Sequence, residues 1–167
     1  MATGKRVPLA EGGLVVRTYE PRDQEQVWQL HTDGLRDTRA AFPDGNPKWD
    51  EDLRNVETVY LSEGSHFWVV EENGRLVAMV AVHRKDSETA ELKRMRVAAA
   101  RRRQGLGQRL LELAEEFCRQ HGCRRIVLDT TDRQAAARRL YEKNGYALVG
   151  AMPIAPLTLF FYRKELA

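Results

Sequence analysis

The loop Arg102-Arg103-Gln104-Gly105-Leu106-Gly107 holds the residues best suited to chemistry in this 167-residue chain. It joins an apolar extended segment, Leu92 to Val97, to an amphipathic helix that begins near Gly105. Two glycines let backbone N–H groups converge on one point, and the first helical turn adds unpaired N–H groups and the positive end of its dipole. Such a layout is an anion cradle, and phosphate oxygens are its natural guests. It is not a Walker loop, whose Lys is missing. Nor is it a dinucleotide fingerprint, because Arg109 and Leu110 follow Gly107 and the third glycine is absent.

The elements that must position this loop are legible from hydrophobic period. Leu14 to Tyr19 is a β-rich run closed by Glu20-Pro21, and helical spacing of Val27, Leu30 and Leu35 predicts a helix from Asp23 to about Thr38. Ala41 to Pro47 concentrates turn formers. A second helix is expected from Asp50 to Leu61, with Ser62-Glu63-Gly64 closing it. His66 to Val70 and Leu76 to Val82 are apolar runs flanking Glu71-Glu72-Asn73-Gly74, which predicts a hairpin. A turn at Lys85-Asp86-Ser87 leads to a strand over Thr89 to Val97.

Leu106, Leu110, Leu113 and Phe117 form the apolar stripe of the helix after the loop, and it ends at His121-Gly122. Arg125 to Thr130 is then a strand reached through a helix crossover, hence parallel to Thr89–Val97. Thr131-Asp132-Arg133-Gln134 has the form of a capping box opening a short helix that stops at Gly145. Tyr146 to Val149 is expected as strand, Gly150 to Leu157 as loop on account of its two prolines, and Thr158 to Lys164 as the last strand.

Four segments in this order resemble the GNAT N-acetyltransferase superfamily: Glu91-Leu92-Lys93-Arg94-Met95-Arg96-Val97, Arg102 to Gly107, Leu128-Asp129-Thr130, and Leu140-Tyr141-Glu142-Lys143-Asn144-Gly145-Tyr146. The likeness runs from about Leu14 to Lys164. It implies an α/β (α+β) fold in which about four helices flank a mixed, mostly antiparallel sheet of about seven strands, splayed at its one parallel pair. The domain is expected over 14–167, with 1–13 as an extension.

The resemblance also implies roles. The backbone of Met95, Arg96 and Val97 would pair with the pantetheine arm of acetyl-CoA. The amides of Arg103, Gln104, Gly105, Leu106, Gly107 and Gln108 would hold its pyrophosphate, with the Arg102 and Arg103 side chains able to add contacts. Arg103 stands where the family often has Gly. Tyr141 matches the tyrosine that protonates the departing thiolate, and a phenol is protonated at neutral pH. Gln134 falls where many relatives carry a pantetheine-contacting Asn. Glu91 matches the catalytic glutamate of some members, with His83, Asp129 or water as alternative bases.

The acceptor side would carry Trp28, His31, Arg36, Arg39, Phe42 and Trp49, faced by Met152, Pro153, Ile154 and Pro156. No acidic cluster suits a polycationic acceptor, and Arg36 and Arg39 leave a carboxylate-bearing amine open. The implied reaction is transfer of acetyl from acetyl-CoA to a primary amine of a small molecule or peptide, by direct attack in a ternary complex. A non-catalytic acyl-CoA sensor of the same fold is the competing reading.

Composition is consistent with one domain of 43% hydrophobic residues. A formal charge of +3 and a pI near 9.0 are mildly basic, and Arg101 to Arg103 account for much of the excess without a nucleic-acid surface. Cys118 and Cys123 lack the spacing of a zinc pair, so no metal is expected. Without a long apolar run the chain reads as soluble and cytoplasmic. Dimers are common in the family, which leaves a homodimer open.

Overall fold

Leu76 to Val82 is apolar at every position because its strand is covered on both faces. Ala78, Val80 and Val82 belong to one buried cluster, Met79 and Ala81 to the other. That strand lies near the middle of an eight-stranded sheet in a computed structural model that describes residues 7–9, 13–40 and 47–166.

The strands are β1 (Val7–Leu9), β2 (Leu14–Thr18), β3 (His66–Glu72), β4 (Arg75–Arg84), β5 (Thr89–Val97), β6 (Arg125–Thr131), β7 (Ala147–Ile154) and β8 (Leu157–Glu165). Their order is β1-β2-β3-β4-β5-β6-β8-β7, and β5/β6 is the parallel pair. The helices are α1 (Gln24–Thr38), α2 (Glu51–Arg54), α3 (Val56–Tyr60), α4 (Leu106–Gln120) and α5 (Ala135–Lys143). α4 buries Leu106, Leu110, Leu111, Ala114 and Cys118 on one sheet face; α1, α2 and α3 bury Val27, Leu30, Leu53, Val56 and Tyr60 on the other.

The sequence reading holds for the α+β class, the parallel pair and most boundaries, and three local differences have physical reasons. Val7–Leu9 pairs antiparallel with β2, so the sheet starts before Leu14. The single helix expected over Asp50–Leu61 is two short ones, broken at Asn55, whose side-chain amide donates to Glu51 O at 2.9 Å in competition with the helical ladder. Gly150 to Leu157 is not a loop: β7 runs on to Ile154 and turns at Ala155-Pro156 into β8. Pro153 is tolerated there because β7 is an edge strand, where a missing N–H costs no ladder bond. The expected loop at Ala41–Pro47 lies almost wholly outside the described residues. In the β3–β4 hairpin, Asn73 (φ 50°) and Gly74 (φ 81°) are both left-handed, the geometry of a type I′ turn.

Two arginines anchor helices to the sheet. Arg17 on β2 is buried and grips Asp23 with two bonds of 2.7 and 2.8 Å just ahead of α1. Arg94 on β5 reaches Asp50 Oδ1 at 3.2 Å and Asp52 Oδ2 at 2.9 Å, and it also donates to Trp49 O, tying the start of α2 to the sheet. Arg94 itself sits at φ 57° in a β-bulge, since Met79 pairs with Arg96 but Ala81 pairs with Lys93.

Removing the guanidinium should leave Asp52, which also accepts from Tyr60, without its cation. Arg94→Ala is expected to cost about 3 kcal/mol. Arg94→Gly should cost roughly 1 kcal/mol less than Arg94→Ala, because glycine relieves the left-handed backbone. Urea unfolding of the two variants checks both the size and the order, and an Ala variant as stable as the Gly variant would rule out strain at the bulge.

Candidate active site

The bulge controls where the site opens. β5 and β6 pair over three residues, Thr89–Glu91 with Arg125–Val127, and part beyond them. A cavity of about 340 Å³ fills the gap, lined by His31, Leu35, Ala40, Trp49 and Asp50 from the α1–α2 side and by Leu92 to Arg96 of β5. Asp129, Thr130 and Thr131 of β6, then Gln134, Ala137, Tyr141 and Leu159, complete the wall. Ligands of open α/β sheets lie beyond the carboxyl ends of strands, and this cavity does so between the two parallel ones. Past Glu91, β5 has no strand partner on its β6 side among the described residues, which leaves room for an extended ligand arm as an added strand, with Met95 O and Val97 O accepting from the Arg96 and Arg102 side chains.

At the far end of β5 the loop folds as a concave backbone. Arg103 (φ 64°) and Gly105 (φ 80°) are left-handed, and Gly105 caps α4, which has no side-chain cap to occupy its first N–H groups. A Cβ built on Gly105 would meet nothing within 4 Å, so the space above the loop is open. Arg103 thus adopts the conformation for which a glycine would be the easier residue.

The side chains around the loop look elsewhere. Arg102 donates to Val97 O at 3.0 Å and to Asp37 Oδ2 at 3.0 Å, and Arg101 pairs with Glu72. Gln108 is turned toward Asn144 at 2.7 Å and Glu112 at 2.9 Å. Gln104 and Arg103 are exposed. What this loop offers an anion is backbone.

Tyr141 from α5 is 7% exposed and stacks edge-on with Tyr146 at 5.7 Å, while its hydroxyl has no hydrogen-bond partner among the described residues. Burial pushes the phenol up to about 12, against the pull of Arg96 and with help from Asp129. Asp129 faces the open cavity and has no ion pair or hydrogen bond among the described residues; crowding by the walls, then the charge of Glu91, raises its carboxyl above the ordinary value.

Glu91 lies outside the cavity lining. Its carboxylate is 17% exposed, 3.6 Å from Lys93 and 3.7 Å from Lys85, opposite His83 on β4. His83 is likewise away from the cavity, edge-on to Tyr60 at 6.0 Å. Gln134 does reach back as in a capping box, accepting from Thr131 N at 3.1 Å and from the Thr130 and Thr131 hydroxyls, but α5 starts one residue after it.

The chain matches the model of the acetyltransferase (GNAT) family over residues 25–146. The chain belongs to that family. Among curated relatives, human N-acetyltransferase 8 is 34% identical over 105 residues, covering 59% of this chain and 46% of that protein. The N-acetylaspartate synthetase of Danio rerio is 34% identical over 122 residues, covering 67% and 43%. The chain therefore spans less than half the length of these two relatives. The GNAT fold is shared with an acetyltransferase of Staphylococcus aureus Mu50 at TM-score 0.82 and 22% identity, covering 92% and 99% of the two chains. It is also shared with yncA of Salmonella typhimurium, described with its cofactor acetyl-CoA, at TM-score 0.75 and 23% identity, covering 93% and 95%.

For a GNAT protein the expected acceptor side is only partly assembled here. His31 and Trp49 line the cavity; Trp28 packs against His31 and under Arg54, Arg36 is solvent-facing beside Asp33, and Arg39 caps α1. Met152, Pro153, Ile154 and Pro156 are not among the lining residues, and Phe42 lies outside the described ones. The sequence reading missed the Arg94, Asp50, Asp52 and Tyr60 cluster. Its one signal was three cations, Lys93, Arg94 and Arg96, in a strand that supplies a single acid, Glu91.

Because the loop would act through open backbone, a carboxylate in that space should expel a pyrophosphate. Gly105→Glu is expected to weaken acetyl-CoA binding at least about 10-fold, the loss of one charge-assisted contact plus added repulsion. Calorimetric titration of the folded variant measures it, and an unaltered Kd would remove the loop from the donor site.

Proposed function

We propose that this chain is an acetyl-CoA-dependent N-acetyltransferase that acetylates a primary amine by direct attack in a ternary complex. The observation that carries the reading is the meeting of Tyr141 and Asp129 on one cavity between parted parallel strands, with open backbone edges leading from it to the Arg103–Gln108 loop. The thioester end of the donor would lie in that cavity, its arm along Met95, Arg96 and Val97.

In the reaction the amine nitrogen bonds to the acetyl carbon and the carbon–sulfur bond breaks. Two protons must move. Asp129 is the group we assign to receive the proton shed by the amine, since its carboxyl is unpartnered and its raised pKa brings it closer to the basicity a general base needs. Tyr141 supplies the proton that the thiolate takes. Its elevated pKa keeps it protonated at neutral pH and poorly suited to be the base. Glu91, from its place behind the wall, acts on Asp129 through charge.

The assignment has consequences for pH. A base must be deprotonated, so kcat/KM should rise with pH through the carboxyl's own pKa, which lies above the usual Asp value. Glu91→Gln removes a neighbouring negative charge, lowers that pKa and should move the acidic limb to lower pH. If Glu91 were itself the base, the variant would lose the limb instead of shifting it. Asp129→Asn and Tyr141→Phe should each reduce turnover by about 100-fold or more. Acetyl-CoA affinity should be retained in both. Rates of thiol release across pH, with any accepted amine, decide among these, and a Tyr141→Phe enzyme of full activity would end the proton-donor role.

A further inference from the structure

Arg94 and Arg96 are two residues apart on β5 and line the same cavity, yet only one of them is neutralised. Arg94 holds Asp50 and Asp52; Lys93 has Glu91 at 3.6 Å; His31 lies 2.9 Å from Asp50 and burial lowers its pKa, favouring the neutral ring. Arg96 has no carboxylate within ion-pair distance among the described residues. Its Nε is buried with no hydrogen-bond partner, and among the described residues its one bond is from Nη1 to the neighbouring Met95 O at 3.1 Å.

A guanidinium held half-buried on the cavity wall, its Nε out of water and no acid beside it, is costly. The fold also makes room for it at further expense. Gly34 occupies the interior of α1, where Ala would be the better helix former, and a Cβ there would fall 2.8 Å from Arg96 Cδ and 3.2 Å from its Nε.

We propose that Arg96 is the anchor for a carboxylate on the acceptor, so that the substrate is a small amine bearing a free carboxylate, of amino-acid type. This deepens the proposed transferase reading and rests on it. The donor's phosphates belong at the α4 loop and its pantetheine arm is uncharged, which leaves the acceptor as the source of an anion near Tyr141 and Asp129. A planar guanidinium suits a carboxylate with two parallel bonds. The shared cavity of about 340 Å³ limits the acceptor to a small molecule once the thioester end is in place. Arg36 and Arg39, the cations of α1 and its cap that the sequence suggested for this task, do not line the cavity. Arg96 does.

The test compares L-amino acids with their α-amides as acceptors, following thiol release from acetyl-CoA. The amide's amine is the less basic of each pair, so amine ionisation alone favours the amide. For at least one pair the free acid should nevertheless have a KM lower by about 10-fold to 100-fold, the worth of charge-assisted bonds. Arg96→Met should abolish that preference. Gly34→Ala, which keeps the charge but displaces the guanidinium, should reduce it. Arg96→Met should also keep or raise the Tm, because it removes a half-buried charge that has no acid partner, whereas a structurally paired arginine would give a lower one.

Equal KM values for acid and amide in the wild type, or a preference that survives Arg96→Met, would overturn the proposal. If no amine is turned over, the transferase reading fails, and calorimetric binding of the same pairs in the presence of CoA then judges Arg96 separately. Tighter binding of the acid upholds the anchor, and equal binding overturns it.

Discussion

The bulge at Arg94 is the constraint on which the rest of the site depends. A strand that kept its period would continue to pair with β6, and the sheet would have no opening. One extra residue opposite Val80 instead turns β5, with Arg94 in the left-handed region, so that pairing ends at Glu91 and Val127. The strain is held by the guanidinium of the same residue, whose bonds to Asp50 and Asp52 draw α2 against the sheet. Burial opposes that charge, but Asp52 outweighs it and holds the Arg94 pKa above its ordinary value. Both carboxyls sit below their usual range despite burial, Asp52 chiefly through Arg94 and Asp50 through its contact with His31 and then Arg94. Local strain and the wall of the cavity are thus one structure.

Around the cavity, function follows from which charges are paired. Carboxylates that hold helices are matched to arginines and lysines, as in Asp23 with Arg17 and Asp52 with Arg94. Among the described residues, Asp129 and Arg96 have no opposite charge within ion-pair distance and the Tyr141 hydroxyl has no hydrogen-bond partner. Burial moves two of them away from the charged form, raising Tyr141 and lowering Arg96 to about 10, and the surrounding cavity walls with the charge of Glu91 raise the more exposed Asp129. A folded chain has little reason to keep three such groups together unless a ligand completes them.

The loop at the other end of β5 solves a different problem with different means. Its arginines are engaged elsewhere or point to solvent, and its shape comes from two left-handed residues and an uncapped helix start. Backbone amides carry little desolvation risk and no rotamer entropy, so an anion can be bound and released there without rearranging side chains.

Much of this fold was legible in the sequence, because period and turn chemistry are local. The α4 stripe, the Asn73-Gly74 hairpin, the crossover that makes β6 parallel and the Gly105 loop all follow from residues close together in the chain. The prolines of β7 misled, since only the neighbouring strands decide whether an edge position needs its N–H. Asn55 likewise reads as helix until its side chain finds Glu51 O. The site divided along the same line. Tyr141 and the loop were found from motif, but the pairing of charges was not, because Arg94 meets acids more than forty residues away while Arg96 meets none. Sequence by itself determined the elements and the chemical groups available. Which carboxylate faces the cavity, and which arginine is left for a ligand, only tertiary structure decided, since long-range contact sets both burial and charge neutralisation.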